Sequence, residues 1–495
     1  MKSRLAECGC LIVLLCGMVA GVPMAVNGAD DSGHVAPKLI EVSRKHPRYF
    51  VEGATEKTWI PIGCNVCFDR LNVSDAEVRA NFERWLRRFA ANGGNCIRLW
   101  AGHRSLEVMP EKPGVWDAEK TKTMKGIVAL CEELGIKVKI TFESFRMCLS
   151  PEVQAKTAQP KVNFDYNGIF NRPLYAPYAK NVAEFFRSPE CRAIYLRKAQ
   201  YFKDLGFADS PAVYCWELWN EINCCGSIAQ YSEWSEWALD ELKRMFPRQL
   251  TVNNLGSFSD VGAYQMYDAL AQEKGNDFMQ IHRYLDTGAC LDVCRASMDV
   301  VAASATRELL DRSPKPAIVA EVGAVQANHA GPFPYYPFDK EGTLLHDAVF
   351  AAFFAGSAGC GQFWHWDHQY IDGNNLWWHF GRFAKAIEGL DPVAEEMKPF
   401  YTESRRLRMY GLRGKKTSII WCRDKVSDWR SELVEGNRAQ VLSDQDVPFR
   451  NCDLDCYLPW EDRRVTVKAP RLPAFRRSIV VRVPSVAVEG VVRPH

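Results

Sequence analysis

The chain has 495 residues, of which 47% are hydrophobic and 25% are charged. This balance is typical of a soluble globular protein, and it excludes both an intrinsically disordered chain and a protein with several membrane spans. The net charge of +2 offers no basic surface for nucleic acid, so we expect no nucleic-acid partner. The length suits one α/β barrel of about 250 residues or more, followed by one small domain.

The first 29 residues have the features of a secretory signal peptide. Lys2 and Arg4 precede an apolar run over residues 11–26, and small residues follow at 27–29. A membrane anchor is the alternative, but the run contains two glycines and one proline and is shorter than the roughly 20 residues of a membrane span. We therefore predict that the leader is cleaved, that the protein is exported to the periplasm or the extracellular space, and that no stable membrane anchor remains.

The chain contains 18 cysteines, and because three of them lie in the leader an odd number remains. At least one thiol is therefore free if the others pair. Apolar runs hold several that we predict to be buried small hydrophobic residues: Cys64, Cys96, Cys215 and Cys360. Loop-like sequence holds two close pairs that an exporting compartment allows to oxidise: Cys290 with Cys294 and Cys452 with Cys456. The Cys64-x-x-Cys67 motif has no second pair at zinc spacing, so we expect neither a metal site nor a cofactor.

Strand and helix patterns alternate over the first part of the mature chain. The predicted segments are a lead-in hairpin over 39–60, a strand ending near Asn65, a helix over 75–91, a strand over 95–100, a helix over 117–134 and a strand over 136–142. Ser74 and Glu77 form a capping box at the start of the first helix. This alternation is typical of the βα units of a parallel sheet.

The strand over 95–100 carries one charge, Arg98, in an otherwise apolar run. Burying a guanidinium group is unfavourable unless it meets an anion. We therefore predict that Arg98 faces a carboxylate.

A long segment over 143–180 interrupts the alternation after the third strand. It is rich in proline and aromatic residues. Loops of this length inside a compact domain are usually functional or disordered. The aromatic content favours a wall of the substrate cleft.

After a helix predicted over 188–206, the apolar run over 213–221 ends abruptly in Asn220 and Glu221. A run of this length is typical of one buried strand, and the catalytic groups of parallel barrels lie just past such strand ends. The alternative is a helix cap, because asparagine caps helices well and an acid suits the first turn. Glu217 lies inside the strand and is the rival acid, which we interpret as a buried, hydrogen-bonded support.

A second strand of the same form, over 317–321, ends in Glu321. Two acids at two strand ends are what cleavage of a glycosidic bond by paired carboxylates requires. We predict that the carboxyl groups of Glu221 and Glu321 lie roughly 5 to 5.5 Å apart, which is the separation of retaining enzymes. Arg98 is the predicted partner that keeps Glu321 ionised, whereas Glu221 lacks a cation.

Three further strand patterns complete the count. They cover 250–256, 278–284 with His282 and Tyr284 on one face, and 359–368 with Trp364 and Trp366 at its tip. A lone histidine is usually a core residue, and for His282 that interpretation stays open beside a functional one. Eight strands, each followed by helical sequence, predict a (β/α)8 TIM barrel over residues 30–400.

From about residue 401 the helical periodicity stops, and short β-type runs alternate with turns. This pattern predicts a small C-terminal antiparallel β domain, sandwich-like, over residues 401–495. A carbohydrate-binding module is one interpretation. A structural domain packed on the barrel is the other, and the lack of an evident aromatic row favours it.

With these strands placed, residues 39–399 resemble the clan A glycoside hydrolases, most closely family 5, the cellulase and mannanase family. The motifs that carry the resemblance are GCN at 63–65, IRLW around Arg98, WELWNE ending in Asn220-Glu221, HRY at 282–284, AEVG around Glu321 and QFWHW around Trp364. The resemblance implies an exported, retaining β-glycoside hydrolase that acts on β-mannan or β-glucan without a cofactor.

The resemblance also implies individual roles. These are Glu221 as acid/base, Glu321 as nucleophile, Asn220 as the residue that binds the sugar 2-hydroxyl, Arg98 and Tyr284 as supports of the nucleophile, His282 as a lining residue of the reacting subsite and Trp364 as its stacking floor. Asn65 and Trp366, in the same motifs, are further substrate-binding candidates.

The chain departs from the family pattern at two places. Ile222 follows Asn220-Glu221 where proline is common, and a histidine that is common near the third strand is not evident beside residues 142–144. Both departures leave the substrate open more than the mechanism. Two alternatives remain, a non-catalytic carbohydrate-binding barrel and a barrel of unrelated chemistry, although the sequence lacks the metal ligands or phosphate-binding glycine loop that the latter would bring.

Overall fold

A parallel sheet and the helices packed on it make up the larger part of the computed structural model, which describes residues 39–53, 55–70, 73–144, 173–256 and 264–488. The predicted leader and most of the predicted cleft wall at 143–180 lie outside these residues. Residues 37–495 form one compact unit. Within the described ranges, no helix combines the length and the apolar character that crossing a bilayer requires.

The described chain begins with a small antiparallel sheet of three strands. They are β1 (Ile40–Val42), β2 (Phe50–Glu52) and β3 (Lys57–Trp59). The predicted lead-in hairpin is therefore confirmed, and β3 extends it by one strand.

Seven parallel strands follow, in agreement with the alternating sequence pattern. They are β4 (Gly63–Cys64), β5 (Cys96–Trp100), β6 (Lys137–Ser144), β7 (Val213–Asn220), β8 (Leu250–Val252), β9 (Met279–Leu285) and β10 (Ala317–Ala324). Strands β4 to β8 pair in sequence order, and β9 pairs with β10. The architecture is thus mixed α/β with a parallel sheet.

The predicted strand over 359–368 is reduced to a single bridging residue, Phe363. This residue makes parallel bridges to Cys64 on one side and Val322 on the other. The segment does not extend further as a strand because His365 takes a left-handed backbone conformation with φ of 58°. Gly361 allows the segment to approach the carbonyl of Ala348, since a Cβ atom at this glycine would lie only 2.4 Å from that oxygen.

Nine α-helices lie within the described residues. They are α1 (Asp75–Ala91), α2 (Ala118–Leu134), α3 (Val182–Arg187), α4 (Pro189–Asp204), α5 (Ile228–Met245), α6 (Tyr264–Gln272), α7 (Met298–Arg312), α8 (Thr343–Phe354) and α9 (Trp378–Ala386). The capping box of Ser74 and Glu77 at α1 is confirmed. Gly135 ends α2 in the left-handed conformation that glycine adopts without strain.

Strand β7 shows how the apolar runs build two different surfaces. All eight of its residues are buried. Trp216 packs between the sheet and the helices, with its ring centroid 4.2 Å from that of Phe246. Glu217, the next residue, points to the other face because strand side chains alternate. An apolar side chain therefore holds the helices while a carboxylate enters the interior of the sheet.

The C-terminal part forms a six-stranded antiparallel sheet in the order β11-β12-β13-β18-β15-β16. Its strands are β11 (Lys398–Glu403), β12 (Leu407–Arg413), β13 (Thr417–Asp424), β15 (Asp453–Leu458), β16 (Arg463–Lys468) and β18 (Ser478–Pro484). A separate two-stranded ribbon joins β14 (Val441–Leu442) to β17 (Phe475–Arg476). The antiparallel β character predicted after residue 401 is thus one broad sheet and a short ribbon.

Helix α8 lies against this sheet and is buried along its whole length. The carboxylate of Asp347 accepts hydrogen bonds from Arg423 of β13 at 2.6 and 2.9 Å. A helix that is buried all round needs covering on every side. The C-terminal sheet supplies one of these covers.

No disulfide bond joins two of the described cysteines. The four that were predicted to be buried hydrophobic residues are buried: Cys64, Cys96, Cys215 and Cys360. Cys456 lies in β15 and Cys452 directly before it, and four extended residues span about 13 Å, which is too far for a disulfide.

Candidate active site

The carboxyl ends of four parallel strands bring the predicted site residues together. Arg98 comes from β5, Asn220 from the end of β7 with Glu221 directly after it, His282 and Tyr284 from β9, and Glu321 from β10. Side chains two residues apart share one face of a strand, which places His282 and Tyr284 side by side. The site is therefore assembled from residues far apart in the chain.

Glu321 is held by two hydrogen-bond donors. The hydroxyl of Tyr284 donates to Oε2 of Glu321 at 2.6 Å, and Nη1 of Arg98 donates to Oε1. All three side chains are almost completely buried. The prediction that Arg98 faces a carboxylate is confirmed.

Glu221 lies opposite, beside the imidazole of His282. Nδ1 of His282 is 2.8 Å from Oε1 of Glu221 and 3.4 Å from Oε2 of Glu321. One oxygen of each carboxylate and the histidine nitrogen all lie within 4.8 Å of one another. The two acids therefore face each other across a short gap, and Glu221 is the more exposed of the two.

The imidazole of His282 is uncharged at neutral pH. Burial is the largest influence on it and lowers its pKa to about 4, although the nearby carboxylate of Glu321 acts in the opposite direction. Its contact with Glu221 is consequently a hydrogen bond of a neutral ring and not a salt bridge.

Glu217 is the centre of the hydrogen-bond network beneath the two acids. Its Oε1 atom accepts from Arg98, from Thr141 at 3.0 Å and from Asn254 at 2.7 Å. Its Oε2 atom accepts from Gln280 at 3.0 Å, and Lys139 lies 3.1 Å away. Burial disfavours ionisation of Glu217, but Arg98 and Lys139 outweigh it and lower the pKa of this carboxyl to about 2.

Glu217 is therefore the buried, hydrogen-bonded support that the sequence predicted. Its side chain is fully buried, and its oxygens are committed to donors of the protein. A permanently ionised carboxylate that solvent does not reach is unsuited to proton transfer with a substrate.

Asn220 connects this network to the cleft. Its Oδ1 atom accepts from Nη2 of Arg98 at 2.6 Å. Its buried Nδ2 atom makes no hydrogen bond within the described part of the chain, and the same is true of Nε2 of His282. Buried polar atoms are nearly always hydrogen-bonded in proteins, so these two atoms are suited to bind a ligand.

Aromatic rings pack beside Arg98, whose guanidinium carbon lies 5.4 Å from the ring centroid of Trp100. Trp364 lies 5.5 Å from Trp100 and 5.9 Å from Phe68, measured between ring centroids, and it is only partly buried. Trp366 packs against Trp364 at right angles and is only 3% exposed. Trp366 therefore supports the ring of Trp364 and offers little surface to a ligand.

Asn65, a predicted substrate-binding candidate, has an amide group that is occupied by protein partners. It is fully buried, and its Nδ2 atom donates to the carbonyls of Ala320 and Gln362 at 2.8 Å each. Both N–H groups of the side-chain amide are thereby used, and they connect the end of β4 with β10 and with the 359–368 segment. Its role is to hold backbone segments together.

Four residues of the site network were absent from the sequence-based candidates. They are Lys139, Thr141, Gln280 and Asn254. Asn254 lies two residues past β8 and Asn220 is the last residue of β7, so an asparagine close to the end of an apolar strand was the signal that could have identified it.

One group of ligand-type atoms that lies close enough for a metal ion occurs among the described residues, and it consists of Glu221, His282 and Glu321. The guanidinium of Arg98 touches Glu321, and a positive charge at that position opposes the binding of a second cation. Glu221 and Glu321 are therefore better suited to work together as a pair of carboxyl groups than to bind a metal ion.

Comparison with solved structures identifies the fold. A solved structure described as "Glycoside hydrolase" shares the fold at 12% identity, with a TM-score of 0.55, and the alignment covers 90% of this chain and 97% of that one. No family model matches the chain.

Sequence comparison then finds curated relatives. Mannan endo-1,4-beta-mannosidase 3 of Arabidopsis thaliana is 23% identical over 293 residues, which cover 56% of this chain and 65% of the relative. A family 5 glycoside hydrolase mannosidase from Rhizomucor miehei aligns with 15% identity and a TM-score of 0.45 over 67% of this chain and 86% of that one. The chain spans less than two-thirds of the length of the curated relatives it matches. The sequence matches to these mannan endo-1,4-beta-mannosidases support the relationship to family 5 of clan A that the sequence motifs predicted.

Proposed function

We propose that this chain is a retaining β-glycoside hydrolase that cleaves β-linked mannan by double displacement, with Glu321 as the nucleophile and Glu221 as the acid/base. The names of the curated relatives favour mannan over the β-glucan that the motifs left open. The observation that carries the proposal is that the two facing acids have different hydrogen-bond partners. Arg98 and Tyr284 bind Glu321, while Glu221 meets a neutral imidazole.

The charges around the pair support this assignment of roles. The guanidinium of Arg98 is a buried cation that contacts both Glu217 and Glu321. A cation beside a carboxyl group favours its charged form, and the nucleophile of a double displacement reacts in that form. Glu221 is the more exposed of the two facing acids, which suits the group that must meet the glycosidic oxygen and water.

The short gap between the acids supports retention of configuration. Inverting enzymes separate their carboxyl groups by about 6.5 to 9.5 Å to admit a water molecule, whereas retaining enzymes keep them about 5 to 5.5 Å apart. Here the facing oxygens lie within 4.8 Å. Glu321 can therefore reach the anomeric carbon directly.

The proposed reaction has two steps. In the first, a carboxylate oxygen of Glu321 forms a bond to the anomeric carbon while Glu221 donates its proton to the departing glycosidic oxygen. In the second, Glu221 takes a proton from water, and the resulting hydroxide oxygen displaces Glu321 from the same carbon. Two inversions restore the original configuration.

The remaining site residues orient the sugar in this proposal. The free Nδ2 donor of Asn220 binds the 2-hydroxyl next to the reacting carbon, and Nε2 of His282 lines the same subsite. Trp364 provides the stacking floor. Hydrogen bonds to the 2-hydroxyl strengthen in the transition state, so Asn220 contributes to the rate as well as to binding.

The architecture that we propose for this function is a closed (β/α)8 barrel over residues 30–400. Phe363 bridges β10 and β4, and the amide of Asp277 donates to the carbonyl of Thr251 at 2.9 Å where β8 meets the start of β9. Both contacts lie where a closed sheet must join. We further propose export after cleavage of residues 1–29 and a structural domain over 401–495 that packs on the barrel.

Azide rescue of two alanine variants tests the assignment. Glu321→Ala can form no glycosyl-enzyme, so azide attacks an activated aryl β-mannoside once and yields the α-glycosyl azide. Glu221→Ala still forms the glycosyl-enzyme from such substrates, so azide attacks second and yields the β-glycosyl azide. NMR of the products identifies the anomers.

The control is Glu233→Ala on the exposed surface of α5, which should behave like the wild type. Swapped anomers would exchange the two roles, and wild-type rates in either active-site variant would refute the pair. A parallel screen of mannan, β-glucan and xylan with product sizing decides the polysaccharide and separates internal cleavage from cleavage at chain ends.

A further inference from the structure

Asn254 touches the backbone of Glu221 and the carboxylate of Glu217 at the same time. It follows β8 and is fully buried. Its Oδ1 atom accepts from the amide of Glu221 at 2.7 Å, and its Nδ2 atom donates to Oε1 of Glu217 at 2.7 Å. The orientation of this side-chain amide is fixed by chemistry, because an amide N–H needs an acceptor and a carboxylate needs a donor.

We infer that Asn254 is a positioning residue that holds Glu221 where it can exchange a proton with the glycosidic oxygen. This inference rests on the proposed role of Glu221 as acid/base. Asn254 itself need not touch the substrate, since it acts through the backbone to which the Glu221 side chain is attached.

The backbone of Glu221 needs such a restraint. Its φ of 58° and ψ of 55° lie in the left-handed region, which residues other than glycine, asparagine and aspartate rarely adopt. A strained conformation persists only where the surrounding structure determines it. Asn254 supplies two contacts for this purpose. In addition to its side-chain oxygen, its backbone carbonyl oxygen accepts a hydrogen bond from the amide of Ile222 at 3.3 Å.

The other end of Asn254 is anchored to the support of the nucleophile. Glu217 binds Arg98, and Arg98 binds Glu321. The backbone of the acid/base is therefore held by the same hydrogen-bond network that holds the nucleophile. A change of about 1 Å in the position of a catalytic group can reduce a rate by about 100-fold.

The loop after Asn254 packs closely on the same turn. A Cβ atom at Gly256 would lie 2.8 Å from Sγ of Cys224 and 3.4 Å from Cβ of Glu221. The amide of Gly256 donates to Oδ1 of Asn223 at 2.5 Å. The turn that carries Glu221 is thus supported along its length by residues 254–256.

The test is the dependence of kcat/KM on the leaving group. Asn254→Ala removes no charge, and Glu217 keeps its hydrogen bonds from Arg98, Thr141 and Gln280, so the main expected effect is the loss of the restraint on the acid/base. On a series of aryl β-mannosides, the loss should be about 100-fold for poor leaving groups that need a proton and should be within about threefold for a dinitrophenyl leaving group that needs none. The slope of log kcat/KM against the pKa of the leaving phenol should therefore become steeper than in the wild type.

Matched variants separate positioning from a general loss of structure. Asn95→Ala removes a similar amide that links the backbone of Ile62 and Ile60 at the opposite ends of the strands, and it should leave the slope unchanged. Asn254→Ser has a side chain one bond too short to reach the Glu221 amide, so it should steepen the slope and replaces the alanine variant if that variant does not fold.

The outcomes distinguish this inference from the proposed function. A wild-type enzyme that hydrolyses none of the aryl β-glycosides would end the proposed function. An active wild type with an unchanged slope in folded Asn254→Ala or Asn254→Ser would overturn the positioning role and leave the function standing, even if the rates fell equally for all leaving groups.

Discussion

Tyr284→Phe removes a single oxygen from the site and tests how Glu321 is stabilised. The hydroxyl of Tyr284 lies 2.6 Å from Oε2 of Glu321 and the side chain is 3% exposed, so water cannot replace the lost donor. Burial, followed by the carboxylate of Glu321, raises the pKa of Tyr284 far above its usual range. The phenol therefore remains a donor throughout the working pH range of the protein.

The expected loss follows from the energy of one charge-assisted hydrogen bond. Such a bond contributes about 1.5 to 3 kcal/mol. If this energy is lost from the transition state, in which Glu321 must stay oriented toward the anomeric carbon, then kcat/KM falls by about 13- to 160-fold at about 1.36 kcal/mol per factor of ten. The fall should appear mainly in kcat, because Tyr284 contacts the nucleophile and not the sugar.

The assay is steady-state hydrolysis of an aryl β-mannoside with a good leaving group, since formation of the glycosyl-enzyme then depends on Glu321 alone. Tyr195→Phe is the matched control. Its hydroxyl donates to the carbonyl of Leu218 at 3.1 Å and it is equally buried, but it lies toward the helices. A Tyr284→Phe variant within about twofold of the wild type would refute the claim that this hydroxyl supports the nucleophile.

Two further predictions concern stability. Because burial lowers the pKa of His282 from 6.5 to about 4, the unfolded chain binds a proton in this pH window that the folded chain does not, so stability should fall as pH decreases through it. In His282→Gln, denaturation at about pH 4.5 and about pH 7 should show a smaller difference than in the wild type, and an equal difference would contradict the pKa. A chain ending at residue 400 should be unfolded or insoluble because it uncovers α8; a soluble, active one would show that residues 401–495 form an independent domain.

The order of elements was predictable because local signals agree with the tertiary structure. The capping box of Ser74 and Glu77 and the left-handed Gly135 mark helix ends through contacts within a few residues. Such signals do not depend on the rest of the fold. The segment over 359–368 was predicted as a full strand because its apolar composition does not reveal that His365 turns the backbone after Phe363.

The site was predictable only where a residue type conflicts with its surroundings. Arg98 stands out as a charge in an apolar run, and its partners are indeed carboxylates. Lys139 was not recognised because Lys137 and Lys139 share one face of β6, and a period of two cannot tell them apart. Lys137 lies at the strand start and donates to the carbonyl of Pro211, whereas Lys139 lies deeper and is 1% exposed.

Asn65 and Asn254 show that similar sequence positions can have different structural roles. Both are asparagines near strand ends, and both are fully buried. The amide of Asn65 binds backbone carbonyls of neighbouring segments, whereas the amide of Asn254 binds Glu217 in β7 and Glu221 directly after it. Which of them belongs to the site depends on distances between strands, and no local pattern in the sequence records those distances.

A comparison of Arg98 with Arg423 shows what a buried arginine does and does not imply. Arg423 also interrupts an apolar strand, is also fully buried and also pairs with a carboxylate, that of Asp347 in α8. Breaking either pair would leave a buried charge uncompensated, so at both positions a charge in an apolar strand coincides with an ion pair. The two arginines differ in their partners. Arg98 donates to Glu217, Asn220 and Glu321 among the parallel strands. Arg423 donates to one aspartate and to backbone carbonyls between a helix and an antiparallel sheet. A buried charge therefore indicates where a fold needs a counter-charge, and only its position at the open end of the parallel strands makes it part of a site.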